Sequence, residues 1–243
     1  MWIIAKRELW FYFSHITGYL VIGSYLTINT LLLWFFDTPY QLLNSGFGDL
    51  SPFFEISPLL FLFLIPALGM RSFSEEHANG TIEILITKPL RPWEIFGGKF
   101  LGISLILTIT ILPTTINIFA IQALLEPQSK IDWGVLLSSY MALTLLCMIF
   151  LSISIFSSIL FRSQVSSFLA ACLVCFAQFF LWDFIADSSS IPWLNEFISN
   201  LGIQKHYLSL TQGVIKLEDL IYFSGLIVII FISGIELLKN EQV

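Results

Sequence analysis

Residues 133–161 read WGVLLSSYMALTLLCMIFLSISIFSSILF, and the run contains no charged side chain. A bilayer core takes about 20 apolar residues as one helix, so this stretch is long enough to cross it. Inside lipid no water is available to the backbone, and each amide must be paired within its own segment. The stretch is therefore expected to be a helix.

Working outward, five further apolar runs accompany it: 18–36, 53–70, 100–125, 165–182 and 220–238. The second of the six spans carries one charge, Glu55, near its start, and the third carries none. A run of about 19 residues rises roughly 28 Å, close to the ~30 Å hydrocarbon thickness. A membrane β-barrel would instead show alternating segments of about ten residues, and this pattern is missing from the sequence. Composition agrees. Of the 243 residues, 56% are hydrophobic and 12% charged, about half the charged share of a soluble domain. The mean hydropathy is +0.86. The expected fold is all-α and polytopic, with six transmembrane helices in a single domain over 1–243. No polar stretch is long enough for a separate catalytic domain.

Lysine and arginine set the expected orientation. With six spans, Lys6, Arg7, Arg71, Lys88, Arg91, Lys99, Arg162 and Lys239 share one side, eight of the 11 basic residues. Lys130, Lys205 and Lys216 fall on the other. The positive-inside rule then puts both termini in the cytoplasm. The opposite loops are acidic, with Asp37, Asp49, Glu126, Asp132, Asp187, Glu196, Glu218 and Asp219. The opening residues do not read as a cleavable signal, because the apolar run after Lys6 and Arg7 is too long and lacks a small-x-small site. Residues 2–13 mix aromatic and charged side chains, as expected of a short helix lying at the inner interface.

Several chemistries are excluded by their missing motifs. Gly97-Gly98-Lys99 is followed by Phe100 and lacks the upstream glycine of a P-loop, so no ATP site is expected in this chain. Glu75-Glu76-His77 lacks the arginine that a paired-glutamate membrane protease needs soon afterwards. His15, His77 and His206 are scattered without metal-ligand spacing, and no metal or cofactor is expected in the chain itself. Cys147, Cys172 and Cys175 lie in apolar runs and read as small packing residues. The net charge of −6 forms no basic stripe, which argues against nucleic acid.

The deep parts of the spans carry no acidic or basic residue. Their polar residues include Asn29, Thr108, Thr110, Thr114, Thr115, Asn117 and Gln178. Hydroxyls there mostly bond back to their own helix or to a neighbour. The alternative is a polar stripe on a translocation path, for which Thr108, Thr110, Thr114 and Asn117 are the candidates. Pro113 is expected to kink the third span, since proline removes a backbone donor.

Two connections are too long for simple turns. Residues 183–219 include Ile191-Pro192-Trp193-Leu194 and a mixed apolar run, expected to form short re-entrant or interfacial helices on the outer side. Residues 71–99 are the most polar part of the chain. Arg71–Ala78 should extend the second helix into the cytoplasm, and Asn79-Gly80 should stop it through the left-handed conformation these residues tolerate. Thr81 is then placed to cap a short helix of Ile82, Glu83, Leu85 and Ile86 that ends before Pro89. A third piece starts at Pro92 and Trp93 and runs into the third span. The short apolar run between polar breakers looks made to dock on something.

The pattern Glu76-x3-Gly80-Thr81-x-Glu83-x-Leu85-x3-Pro89, followed by Glu94 and Gly98-Lys99, resembles the permease subunits of type-2 ABC exporters. The similarity extends to Ala5-Lys6-Arg7-Glu8-Leu9 and to the region from Pro192-Trp193 to Gly213. Gly18-Tyr19-Leu20-Val21, Leu50-Ser51-Pro52-Phe53-Phe54, Phe63-Leu64-Ile65-Pro66-Ala67 and Met70-Arg71-Ser72-Phe73-Ser74-Glu75-Glu76 resemble the gliding motility-associated ABC transporter permeases (the GldF family). His77-Ala78-Asn79 departs from that family's more basic stretch.

The resemblance implies a bacterial inner-membrane exporter subunit that pairs with a second permease, identical or different, and with an ABC ATPase dimer that binds ATP and Mg. The cytoplasmic segment after the second span would be the coupling helix, with contacts at Glu75, Glu76, Gly80, Thr81, Glu83, Leu85 and Pro89. Membrane lipid is the remaining partner. The alternative function is a non-transporting membrane anchor or scaffold.

Overall fold

The computed structural model describes residues 1–42, 50–80, 91–125, 131–188 and 191–240. The expected docking helix, with Thr81, Glu83, Leu85 and Pro89, lies outside the described residues, as do the loop charges Asp49, Lys88, Glu126 and Lys130.

Among the described residues the fold is entirely helical. Six helices are long and apolar enough to span a membrane: Ile16–Phe35, Ser51–Ala78, Pro92–Leu124, Trp133–Leu160, Gln164–Asp187 and Leu217–Lys239. A short helix, α1 (Trp2–Ser14), precedes them. The first span is α2 (Ile16–Thr30), wound more loosely over its last turn, Leu31–Phe35. The second joins α3 (Ser51–Gly69) to α4 (Arg71–Ala78) without interruption. Its 28 residues rise roughly 42 Å, more than the ~30 Å of hydrocarbon, so one end must project beyond the lipid tails.

The third span starts earlier than its uncharged run, at Pro92. Proline suits a first helical turn, and the Glu94 carboxylate accepts from the Arg91 amide at 3.1 Å to close the helix start. It is built from α5 (Pro92–Ile111) and α6 (Ile116–Leu124), joined by a tighter turn at Leu112–Thr115. Pro113 sits in that turn, where the sequence places the kink.

The fourth span, α7 (Trp133–Leu160), starts on Asp132, whose carboxylate accepts from the amides of Gly134 and Val135 at 2.9 and 3.3 Å. This span is the hub. It packs against the second, third, fifth and sixth. Phe61, Ile65, Leu68, Ile103, Ile106, Leu143, Leu146 and Phe150 fill the space between the second, third and fourth. Small residues bring these helices close. A Cβ on Gly69 would stand 2.4 Å from that of Ser154, and the Ser74 hydroxyl donates to the Ser158 carbonyl at 3.1 Å.

The fifth span joins α8 (Gln164–Phe176) to α9 (Trp182–Asp187) through a widened turn at Ala177–Leu181. Two short helices follow, α10 (Pro192–Ser199) and α11 (Ile203–Thr211), where the sequence predicts them. The sixth span is α12 (Leu217–Asn240). The first, fifth and sixth spans leave most of their apolar side chains uncovered, Leu173, Ile221 and Ile229 among them, as lipid-facing helices do.

Helix α1 and the last turns of the sixth span meet the start of the third. Gly97 lies between Met1 and Phe231, and the Phe96 ring packs on Gly234. The start of α1 and the last turns of α12 therefore lie at one end of the bundle. Helices α9, α10 and α11 occupy the far end, where the Tyr207 hydroxyl donates to the Phe54 carbonyl at 2.7 Å. Burial raises the pKa of that phenol and keeps it a donor.

Candidate functional site

The masking of charge by burial makes the α1 end distinctive. Helix α1 lies across the first turns of α5, and two glycines allow it. A Cβ on Gly98 would fall 2.7 Å from Ile4 Cβ, and one on Gly102 would fall 2.7 Å from Glu8 Cβ. Gly97-Gly98-Lys99, which fails as a phosphate loop, is thus part of a close-packing strip. Trp2, Ile3 and Trp10 point away from the bundle, with Trp10 75% exposed, as suits the expected interfacial helix. The chain then turns at His15, and Gly18 permits the turn because a side chain there would meet the Tyr12 carbonyl at 2.4 Å.

This close approach delivers Glu8 to Lys99. Lys99 is only 1% exposed. Its ammonium donates to Glu76 Oε1 at 2.9 Å, to Glu8 Oε1 at 3.4 Å and to the Ser72 carbonyl. It also stands 4.7 Å above the Phe73 ring. Arg7 closes the other side, 3.1 Å from both Glu8 Oε1 and Glu76 Oε1. Burial lowers the Arg7 pKa, but the two carboxylates outweigh it and raise the value overall. Two cations thus face two carboxylates, contributed by α1, α4 and α5.

A second pair flanks this node. Arg71 grips Glu75 through two hydrogen bonds of 3.0 and 3.2 Å and lies 4.7 Å from the Phe11 ring centre. The Tyr12 hydroxyl donates to the Leu68 carbonyl at 2.5 Å, and burial raises its pKa. Between these groups is a half-open cavity of about 240 Å³ lined by Arg7, Glu8, Phe11, Arg71, Glu76 and Lys99.

The node sits at the two roots of the segment 81–90. On one side α4 ends at Asn79, whose amide donates to the Glu75 carbonyl at 3.0 Å, and Gly80 turns the chain with φ of 65°. On the other side Arg91 and Pro92 start α5. Of the expected coupling residues, Glu75 and Glu76 thus lie in these ion pairs, and Gly80 forms the turn. The sequence placed Glu8 and Lys99 in the family pattern, and Lys99 among the basic residues of the cytoplasmic side, but gave neither a partner. The one local sign was Gly98-x3-Gly102, a small-residue spacing that invites a neighbouring helix.

The expected polar path is not gathered in one place. Thr110 is buried and donates to the Ile106 carbonyl at 2.8 Å. Thr114 donates to the Ile111 carbonyl at 2.6 Å and lies 3.3 Å from the Tyr140 hydroxyl. Asn117 accepts from the Trp34 indole at 3.1 Å and so ties the first span to the third. Thr108 bonds the Ser104 carbonyl at 2.9 Å and lines a groove of about 350 Å³ between the third and fourth spans, with Thr115, Tyr140 and Thr144. Among the described residues no three His, Cys, Asp or Glu side chains come close enough to share a metal ion.

Six apolar helices around a central fourth span define a multi-pass membrane protein. Residues 17–243 match the family described as ABC-2 family transporter protein, and the chain belongs to that family. This family provides the membrane-embedded component of ABC transporters and works with a separate ATPase. No curated protein matches the chain.

Proposed function

We propose that this chain is a permease subunit, one domain over 1–243, of an exporter in a bacterial inner membrane. Its α1 end faces the cytoplasm, where an ABC ATPase dimer binding ATP and Mg docks on the segment between Gly80 and Arg91. A second permease, identical or different, completes the membrane part. The resemblance to gliding-motility permeases supports a role in that process, and the eight-to-three split of basic residues supports the orientation.

The observation that carries the mechanism is the buried Lys99 node. The docking segment joins the bundle at its two roots, α4 and the start of α5. Lys99 and Glu76 join those roots directly, and Glu8 and Arg7 add α1 to the same body. Such a body moves as a unit, so closure of the ATPase pair would swing the second and third spans and α1 together. Glu83, Leu85 and Pro89, with Thr81 as the cap, are the proposed dock. The largely apolar groove between the third and fourth spans, which carries the Thr108, Thr115 and Thr144 hydroxyls, is the proposed stretch of the path.

The test is co-purification from native membranes. The tagged chain should bring down an ATP-hydrolysing subunit. Ile84→Pro and Glu83→Lys should lose it, through a broken helix and a reversed charge. Glu126→Lys, on the opposite side, should retain it. Recovery of the chain with no ATP hydrolysis would instead favour a non-transporting scaffold.

A further inference from the structure

The fifth and sixth spans each pack on the fourth, and a groove of about 500 Å³ lies between them. Ile149 and Ile153 of α7, both buried, form its floor. Ala170 and Val174 of α8 form one wall, and Leu226 and Ile230 of α12 form the other. The groove is a wedge. At its far end Gln178 joins the two walls, 3.0 Å from the Tyr222 hydroxyl. Toward the α1 end the fifth span leans on the second and the sixth leans on the third, so the walls part. Leu160 and Phe161, where α7 ends, mark the open mouth.

The lining decides what can fill it. The groove has no charged side chain, and its polar groups are already engaged. The Ser157 hydroxyl donates to the Ser167 carbonyl at 3.0 Å. The Gln178 amide donates to the Leu201 carbonyl, and its oxygen accepts from the Trp182 indole at 2.9 Å. Water would find no partner here, and an empty groove would forfeit the dispersion contacts of its lining. The occupant must be apolar. From Phe161 back to Ile149 the floor runs about 18 Å along the helix. That is close to one leaflet, half of the ~30 Å hydrocarbon core. Over that length the volume leaves a width of roughly 6 Å, against the ~10–12 Å of a helix with its side chains. A helix of a neighbouring subunit is too thick for the groove, and a single hydrocarbon chain fits.

The mouth carries complementary charge. Arg162 follows Phe161 directly, is exposed, and has no ion-pair partner among the described residues. Beside it α8 starts at Gln164, and the Ser163 side chain caps none of its first amides. A guanidinium next to a helix N-terminus suits a phosphate. We propose that the groove is a phospholipid site. One acyl chain enters from the leaflet at the α1 end and fills the wedge, and the phosphate rests on Arg162 and the first turn of α8. The lipid then bridges the fifth and sixth spans where they do not touch each other. The site needs only the membrane, and neither transport nor an ATPase.

The experiment uses the full chain in nanodiscs of phosphatidylethanolamine and phosphatidylglycerol, doped with phosphatidylglycerol that carries a diazirine at the end of one acyl chain. After photolysis, peptides with Val174 and Leu226 should be labelled more strongly than the peptide with Ile28, an exposed residue at similar depth on the first span. Moved into mild detergent, the chain should keep one phospholipid by native mass spectrometry. Ala170→Trp should fill the wedge and lose both signals, whereas Ala123→Trp, on an exposed face of α6, should keep both. Arg162→Gln touches no packed residue and should lower retention by roughly tenfold, the scale of one hydrogen bond to a charged group. A fatty acid with the same diazirine should label the groove only as weakly as the phospholipid labels Arg162→Gln, which separates the phosphate from the chain. The proposal is overturned if the groove is labelled no more than Ile28, if the wild type leaves the bilayer without lipid, or if Arg162→Gln retains lipid as the wild type does. Cross-links from the groove to a second copy of the chain, with no lipid adduct, would assign it to protein and overturn the proposal as well.

Discussion

Lys99 and His206 are buried at opposite ends of the same bundle, and their surroundings differ in redundancy. Lys99 meets two carboxylates and a carbonyl, and Arg7 holds the far side of the same two carboxylates. His206 meets one carboxylate, of which one oxygen is unpaired. In the first arrangement each charge has a second partner. In the second a single contact joins the two side chains. The comparison sets a redundantly paired joint at the α1 end against a singly paired contact at the other.

The largest expected effect comes from removing the centre of the joint. Lys99→Met leaves Glu8 and Glu76 facing each other with only Arg7 between them, and breaking a buried ion pair in this way costs about 3–5 kcal/mol. Thermal unfolding in detergent, followed by tryptophan fluorescence, should show a large drop. A shift no greater than that of a surface change would mean that the joint is not the centre of this end.

A smaller loss should follow Gly98→Val, whose side chain must displace Ile4 and lift α1 from α5. Overpacking of this kind costs about 1–3 kcal/mol. The same scan measures it, and an unchanged midpoint would show that α1 rests on α5 without tight contact. Smaller again is Asn117→Leu, which strands the Trp34 indole. Polar contacts between membrane helices average about 0.6 kcal/mol, so the shift should be just resolvable. Thr110→Val should do least, since its hydroxyl only bonds back to its own helix; a loss comparable to that of Gly98→Val would give the hydroxyl a role outside the helix.

The six spans were legible because an uncharged run is a local property, and lipid leaves the backbone one way to satisfy itself. The kink at Pro113 and the end of α4 at Gly80 were legible for the same reason, each being one residue's backbone preference. The joint was not. Glu8 and Lys99 are 91 positions apart, and Arg7 and Glu76 are 69 apart, so only tertiary packing reveals that they meet. The His206–Asp219 contact spans 13 positions and two elements, and neither residue looks unusual in its own stretch. The loosened turns at Leu31–Phe35 and Ala177–Leu181 left no mark in apolar sequence that reads as plain span. The threonines of the third span were legible in the same local way: hydroxyls in a helix have carbonyls within reach, and three of the four candidate residues bond back to their own helix, as the sequence favours.

The central claim is that the Lys99–Glu76 link carries motion from the docking segment into the bundle. The double variant Glu76→Gln/Lys99→Met tests it most directly. It removes one charge of each sign, leaves Arg7 paired with Glu8, and should therefore fold far better than Lys99→Met alone. The measurement is permease-stimulated ATP hydrolysis by the complex purified from native membranes. The ATPase should still co-purify in full while stimulation falls by roughly tenfold, equivalent to about 1.4 kcal/mol. Full stimulation in the double variant would contradict it.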